Sequence, residues 1–441
     1  EFVTVDQLMK VARHDIMKPV GSGDPYLTYY RAFFGFLHAV RLAVEYIFYV
    51  TVILGIAKLL FLGFLSARQK RKYASLKFRQ ENFTPFVSVL IPCYNEAAVI
   101  CRTVESVLRS NYQDFEVIVV DDGSTDDSWN LVTARFRDDQ RVRVLHKANG
   151  GKPRALNLAL KEARGGIIIA IDADTLFDKE AIRLMVRYFE DPKVAAVSGN
   201  VKVGNRGRMI TEWQHTEYVT GFNLERRAYS ELNCITVVPG AIGAWRRDLV
   251  LDRGGFDVDT LAEDTDMTLS LLEDGWRIAF EENARAYTET PETFRSLLKQ
   301  RFRWTYGTLQ CLWKHRSAMF STKQKTLGFI AMPFMWLFQY IFQTFCPIVD
   351  VYMIFSIIFG SSSEKVVISY IVFLLVDLAS SLFAFRLERE DPRPLLWVPI
   401  QRLVYRFLMA YIVLKALAVA LHGRSVGWNK LKRTGSVTGN I

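Results

Sequence analysis

Ile167-Ile168-Ile169-Ala170-Ile171-Asp172-Ala173-Asp174 decides how this chain is read. A short apolar, β-branched run reads as a strand covered on both faces, and this one ends in two carboxylates. The same grammar recurs upstream. Val87-Ser88-Val89-Leu90-Ile91-Pro92, Glu116–Val120 and Val142–Leu145 read as strands, and the second ends in Asp121-Asp122-Gly123-Ser124. Helical patterns run between them, from Asn95 to Ser110, Asp126 to Phe136 and Lys152 to Ala163. Strands alternating with helices predict parallel β-α-β units and an α/β fold. Ligands of such sheets bind beyond the carboxyl ends of the strands. Asp122 and the Asp172/Asp174 pair sit at such ends. Pro92-Cys93-Tyr94-Asn95-Glu96 closes the first strand on the same edge. Residues 179–290 then mix helices with short strands such as Val194–Val197 and Thr236–Val238. The helical pattern Thr265–Glu273 stops before Gly275.

The residue types at these ends point to charge chemistry. Two carboxylates at a strand end suit a hard divalent cation, Mg2+ or Mn2+, holding a diphosphate, although an isolated DxD also fits a solvated turn. Asp122 is placed to accept from a base or ribose, with an Asx-turn as the plain alternative. Glu96 is a candidate ligand contact or a first-turn helix acid. Gly150-Gly151-Lys152 opens a helix and sets Lys152 toward phosphate. The GxxxxGK[ST] and GxGxxG spacings are absent. Farther on stands Glu263-Asp264. Asp264 is the candidate general base, or a plain N-cap of the helix that follows; Glu263 beside it raises its pKa by like charge. In Gln300-Arg301-Phe302-Arg303-Trp304, helical spacing puts Gln300, Arg303 and Trp304 on one face. Arg offers a rigid fork of donors for diphosphate, and Trp a flat wall for a sugar ring. Taken alone, the pentapeptide also fits a surface helix with a buried Trp.

The flanks differ in kind. Half of the 441 residues are hydrophobic and the net charge is +10, but 80–325 look soluble while 37–65 and 327–421 are densely apolar. Leu37–Leu65 is a first membrane-span candidate, reaching roughly 40 Å against a ~30 Å hydrocarbon core. The basic run from Arg68 to Arg79 places the following domain in the cytoplasm and the amino terminus outside. Phe329–Phe359 holds a span after an interfacial helix, Val366–Phe385 is a second, and Leu395–Leu421 is apolar but carries Arg402, Arg406 and Lys415. The basic tail from Arg424 to Arg433 points to a cytoplasmic carboxyl end, at odds with a simple count of three spans after the domain. Pro19–Pro25 reads as a linker. No amino-terminal secretory signal is expected, because the first apolar run starts late and is long. Nucleic acid is excluded as a partner: Lys and Arg cluster beside apolar segments and no nucleic-acid-binding signature occurs. The five scattered cysteines fit a reduced, cytosol-facing domain rather than a disulfide framework or zinc site.

Taken in order, Pro92–Glu96, Asp121–Ser124, Gly151-Lys152, Asp172–Asp174, Glu263-Asp264 and Gln300–Trp304 resemble the motifs of processive family 2 glycosyltransferases of GT-A fold. The run Asn149-Gly150-Gly151-Lys152…Ala155-Leu156-Asn157 is most similar to bacterial poly-β-1,6-N-acetylglucosamine synthases, relatives of the hyaluronan, chitin and cellulose synthases. One departure is Ala262, where many relatives carry Thr. The resemblance implies a GT-A domain (86–290) inserted between membrane helices (37–65 and 327–421). A basic linker (66–85), interfacial helices (291–326), an extracytoplasmic start (1–36) and a tail (422–441) complete the division. It implies a multi-pass plasma-membrane enzyme with a cytoplasmic catalytic domain. Its donor is a UDP-sugar bound by Tyr94, Glu96, Asp122, Lys152 and Asp172. Its metal is Mg2+ or Mn2+ on Asp174 and Asp172, and catalysis falls to Asp264, Glu263, Gln300, Arg303 and Trp304. The implied partners are the growing polysaccharide, the lipid bilayer, and a small accessory membrane subunit or fused polysaccharide-modifying domain. UDP-GlcNAc polymerised and carried across the membrane is the favoured reading. A hyaluronan- or chitin-type synthase, a non-processive transferase on a lipid carrier and a catalytically silent protein are the alternatives.

Overall fold

The computed structural model describes residues 25–74, 83–359, 363–422, 433 and 435–437. Most of the Pro19–Pro25 stretch and the basic run 424–432 lie outside the described residues. The chain opens with α1, Pro25–Ala74, longer at both ends than the apolar run predicts. Its extra turns past Leu65 are held by the α/β domain: Ser66 Oγ donates to the Leu224 carbonyl at 3.1 Å, and Lys70 pairs with Glu282. The basic residues 68–72, read above as linker, are therefore helical.

Then come β1 (Val87–Cys93), α2 (Ile100–Leu108), β2 (Phe115–Asp121), α3 (Ser128–Arg135), β3 (Val142–His146), α4 (Lys152–Glu162) and β4 (Ile167–Ala170). Strands 1, 2, 3 and 4 pair in parallel, as their two-sided burial requires. The α2 helix starts later than expected. Residues 94–96 instead form a turn, in which Asn95 takes φ +53° and its Oδ1 accepts from the Thr125 amide at 2.7 Å.

The second half is mixed. It comprises β5 (Thr175–Phe177), α5 (Ala181–Val186), β6 (Val194–Val203), α6 (Met209–Glu217), α7 (Leu224–Glu231), β7 (Gly243–Arg246), α8 (Arg247–Asp252), α9 (Glu263–Glu273) and β8 (Arg277–Thr288). The sheet runs β3-β2-β1-β4-β7-β6-β8-β5, with β7 antiparallel to both β4 and β6. Residues 236–238 are not a strand; the Val238 amide is spent on the Thr268 hydroxyl at 3.0 Å instead. Two apolar cores cover the two faces of the sheet, one around Ile91, Val119 and Ile169, the other around Leu90, Ile118 and Ile168. Alternate residues of one strand point to opposite sides, so each strand feeds both.

The long helix α10 (Phe294–Lys314) leads to a helical stretch over 327–341 with two π-wound segments, which continues directly into α11 (Phe342–Phe359), followed by α12 (Ser363–Glu388) and α13 (Val398–Leu421). Among the described residues, four helices are long and apolar enough to cross a membrane: Ala32–Ala74, Leu327–Ile358, Glu364–Glu388 and Arg393–Leu421. The ends nearest the sheet are tied to it by buried polar groups. Glu388 at the end of α12 takes Arg227 at 2.6 Å and Lys202 at 2.5 Å. Tyr340 Oη donates to the Thr305 carbonyl at 2.9 Å. The α13 helix touches α6 near its start and α10 near its end. Gln401 Nε2 reaches the Trp213 carbonyl at 2.8 Å, and the Lys415 ammonium lies 5.1 Å from the Phe302 ring centre.

Candidate active site

The carboxyl ends of β1, β2 and β4 open into one cavity of about 970 Å3. Glycine decides how close its loops come. Gly151, at φ +89°, starts α4 in a conformation that side chains avoid. Its amide and that of Gly150 both donate to Asp122, at 2.7 and 3.0 Å, and Lys147 closes on the same buried carboxylate. Asp122 thus ties β2 to the loop that aims Lys152.

Lys152 is the hinge of the site. Its ammonium sits 2.7 Å from Asp172 Oδ1 and 2.8 Å from Glu263 Oε1, joining the acid pair after β4 to the pair that opens α9. Burial works against its charge, but the Asp172, Glu263 and Asp264 carboxylates outweigh it and hold Lys152 well above its ordinary pKa. Burial likewise opposes ionisation of Asp172, and Lys152, with Arg303 and Arg433 behind it, overturns that and keeps the carboxyl below its usual value. A Cβ on Gly240 would stand 2.5 Å from the Lys152 nitrogen, so any side chain there would have to push the ammonium off its two carboxylates.

Asp264 is not the N-cap. Ala262 holds that position, and Asp264 lies in the first turn of α9. Its carboxylate accepts from two backbone amides, Gly240 at 3.1 Å and Thr265 at 2.7 Å. Burial raises its pKa, the Glu263 charge raises it further, and Lys152 and the two amides pull it back without restoring it. A half-buried carboxyl poised to take a proton is what a general base needs.

The helix α10 brings in the third group. It lies against the loop before α9 because Gly307 has no side chain: a Cβ there would meet Ala262 Cβ and the Leu261 carbonyl carbon at 2.9 Å. Gln310 Oε1 accepts from the Leu261 amide at 3.0 Å and pins the contact. Gln300, Arg303 and Trp304 all line the cavity, and so do Tyr94 and Glu96. Arg301, assigned no role by sequence reasoning, belongs to the same wall. It is buried, donates to Gln300 Oε1 at 2.9 Å, pairs with Glu217 at 2.5 Å and lies 4.3 Å from the Trp304 ring centre. Phe222 meets Trp304 edge-on at 5.9 Å. Arg226 also lines the cavity, and burial pulls its guanidinium down to about 10.

Arg433 is the larger surprise. Its Nη2 stands 2.6 Å from Oδ2 of the buried Asp174, close in distance but off the hydrogen-bond axis, and its Nη1 donates to the Glu289 carbonyl at 2.7 Å. Burial pushes Asp174 up, and Asp172 and Glu289 add to that against the pull of Arg433. The tail just past the ion pair is held as well. Arg102 donates to the carbonyls of Gly435 and Val437 at 2.9 and 2.7 Å, and the Gly435 amide donates to Glu289 at 2.9 Å. No short motif signals this contact, because it is made by the chain's return from the membrane-side helices.

Asp174, Asp264 and Trp304 therefore open onto one cavity, with a lysine between the two acids. A nucleotide-type sheet with acid pairs at two strand–loop edges, backed by apolar helices, defines a sugar-transferase class of fold. The model for "Glycosyltransferase like family 2" matches residues 84–307, just over half of the chain, and the chain belongs to that family. It is 30% identical over 239 residues to the poly-β-1,6-N-acetyl-D-glucosamine synthase of Staphylococcus aureus strain COL, a match covering 54% of this chain and 58% of that one. To the enzyme of the same name from Staphylococcus epidermidis it is 27% identical over 355 residues, covering 78% of this chain and 85% of the relative. Among solved structures, a mannosyltransferase from Pyrobaculum calidifontis in complex with GDP-mannose and Mn2+ superimposes with a TM-score of 0.60 at 21% identity, covering 86% of this chain and 100% of that chain. This last likeness speaks for the fold.

Proposed function

We propose that this protein is a membrane-bound, inverting, processive glycosyltransferase that polymerises a UDP-sugar, with UDP-GlcNAc the first choice of donor. The observation that carries the reading is the meeting of Asp174, Lys152, Asp264 and Trp304 on one cavity. UDP lies along the carboxyl ends of β1 and β2, near Tyr94, Glu96 and Asp122. The acceptor hydroxyl gives its proton to Asp264 as its oxygen bonds the anomeric carbon. The bond from that carbon to the diphosphate oxygen breaks on the opposite face, and UDP leaves with the electron pair. Gln300, Arg303 and Lys152 meet the negative charge as it develops, where such groups lower a barrier most. Trp304 offers its face to the acceptor sugar.

The residues present fit a divalent cation. Among the described residues no three His, Cys, Asp or Glu side chains converge on one metal-sized point, but Mg2+ and Mn2+ are commonly held by one or two carboxylates plus substrate phosphates. Asp174 and Asp172 would hold it, and when bound it supplies positive charge to the leaving diphosphate.

The favoured arrangement has α1, α11 and α12 crossing the bilayer and α13 lying against the catalytic face. The contacts of α13 near both ends and the Arg433–Asp174 pair support it. It resolves the conflict between an odd number of spans and a tail on the catalytic side.

Radiolabelled UDP-GlcNAc, UDP-Glc and UDP-GlcA, each incubated with the purified protein and Mg2+ or Mn2+, test the reading. Long product from UDP-GlcNAc is expected. A 1,4-linked rather than 1,6-linked product from UDP-GlcNAc favours a chitin-type synthase, polymer formed only when UDP-GlcA is added with UDP-GlcNAc favours a hyaluronan-type one, single-sugar lipid favours a lipid-carrier transferase, and no product from any donor refutes the enzyme.

A further inference from the structure

The cavity that holds the two acid pairs runs on between the membrane-side helices, past Phe338 and Asp377 to Arg406. There it stops. Phe342, Cys346, Phe373 and Arg406 line its blind end and also line a void of about 10 Å3 on the far side. A void needs roughly 10–15 Å3 to hold one water, so the passage beyond this wall is dry. Past it lies a close-packed apolar cluster of Phe48, Val52, Val349, Val366 and Tyr370.

The wall is built where α13, lying against the catalytic face, meets the three crossing helices α1, α11 and α12. Phe373 of α12 lies against Gly55 of α1, where a Cβ would stand 2.7 Å from its ring. The Arg406 guanidinium of α13 lies 5.1 Å from the centre of the same ring. That guanidinium is tied to Asp350 of α11 and stands 3.3 Å from the Tyr370 hydroxyl, which itself donates to Asp350 at 2.7 Å. Ionisable groups buried among apolar helices are costly unless paired and mark functional positions by default. Asp350 is fully buried and its second oxygen has no hydrogen-bond partner. The clamp on Phe373 thus keeps a spare acceptor into which the arginine can shift.

We propose that Phe373, seated on Gly55, clamped by Arg406 and packed against the apolar cluster behind it, is the movable keystone of a closed gate between the inner cavity and the far side of the bilayer, and that the product passes only when this ring swings off its glycine and the cluster loosens with it. The inference rests on the reading that product leaves between these helices. A passage wide enough for a sugar chain leaks ions and water when empty, so a polymer exporter needs a seal at rest. An aromatic plate on a bare backbone position can leave it by a side-chain rotation, whereas interdigitated core residues cannot.

The efflux half of the test needs no sugar donor, and an export assay with UDP-GlcNAc on the same vesicles completes it. The full chain is reconstituted into phosphatidylethanolamine–phosphatidylglycerol vesicles loaded with a small anionic fluorophore, and efflux is followed. Wild-type vesicles stay tight. Phe373→Ala raises efflux at least ten-fold, and so does Gly55→Ala, whose new methyl group pushes the ring aside. Retained UDP binding by each variant certifies the fold, and the two substitutions back each other where one fails to assemble. Vesicles of both variants as tight as wild type, with UDP binding intact and polymer exported normally, overturn the gate alone. Wild-type polymer that stays on the donor side overturns the export reading, and the gate's cargo with it.

Discussion

Asp174 and Asp264 are the same side chain, set in the same cavity, and the fold answers them differently. Burial drives both carboxyls above their ordinary pKa. Asp174 meets a full positive charge, the Arg433 guanidinium at 2.6 Å. Asp264 meets neutral donors, the amides of Gly240 and Thr265, and keeps the like charge of Glu263 beside it. A carboxylate held by a mobile-armed cation is set up to exchange that cation for another. A carboxylate held by backbone dipoles keeps its position while its own charge changes, which is what accepting a proton demands. Lys152 stands between the pairs, ion-paired with Asp172 and Glu263, and reaches Asp264 through its charge alone.

The contrast can be broken most severely at Asp264. Asp264→Asn keeps the shape and both amide neighbours but removes the proton acceptor. Sugar transfer is expected to fall by about 10^3-fold, within the range of general acid–base contributions, while UDP binding measured by calorimetry stays within a factor of about three. An Asp264→Asn enzyme with near-normal turnover would end the assignment. Asp174→Asn should show the reverse split. Mn2+ binding followed by electron paramagnetic resonance drops by about 10-fold or more, equivalent to about 1.4 kcal/mol, and donor KM rises with it.

Arg433→Ala sharpens the comparison, because it removes the cation at Asp174 and leaves Asp264's own partners in place. With the guanidinium gone, Mn2+ no longer competes for Asp174 and binds several-fold more tightly, while the pH profile set by Asp264 does not move. Weaker Mn2+ binding in this variant would mean that the arginine assists the cation rather than replacing it.

The pH dependence follows from the raised carboxyl of Asp264. Activity is lost on acidification at a pH above the ordinary aspartate range, because the base is then protonated. Glu263→Gln removes the like charge, lowers the Asp264 pKa and shifts the acidic limb to lower pH. An unmoved limb in the rate profile would leave burial as the sole cause.

The smallest effect concerns how α9 is held. His315, just past α10, reaches Asp266 at 2.9 Å and Glu273 at 3.1 Å. Burial works to lower its pKa, but bonds to Asp266 and Glu273 raise it to about 9. Its folded value lies above its unfolded one, so its stabilisation is complete below about pH 6.5 and is lost as pH rises through about 9. His315→Gln is expected to cost up to about 3 kcal/mol at neutral pH, and the difference in thermal unfolding should shrink by pH 10.

Much of this site was legible because its motifs are local. A strand must bury its β-branched run and turn at its end, so Ile167–Asp174 and Val119–Ser124 announce a sheet edge with carboxylates on it. Helical spacing likewise put Gln300, Arg303 and Trp304 on one wall. The later strands were harder. Thr236–Val238 has strand composition, but its backbone is claimed by a hydroxyl of α9, and β6 runs past the apolar segment that announced it. The α1 helix outlasts its apolar stretch because Ser66 and Lys70 bind the domain it leads into.

The sequence by itself determined the sheet class, the order of the acid pairs and the apolar helices, since periodicity and end-of-strand chemistry act over a few residues. Only the tertiary structure decided which cation answers which acid. Lys152 bridging two loops, Arg433 on Asp174 and Phe373 on Gly55 are contacts between segments far apart in the chain. Charge pairing and close packing depend on distances that no local pattern encodes.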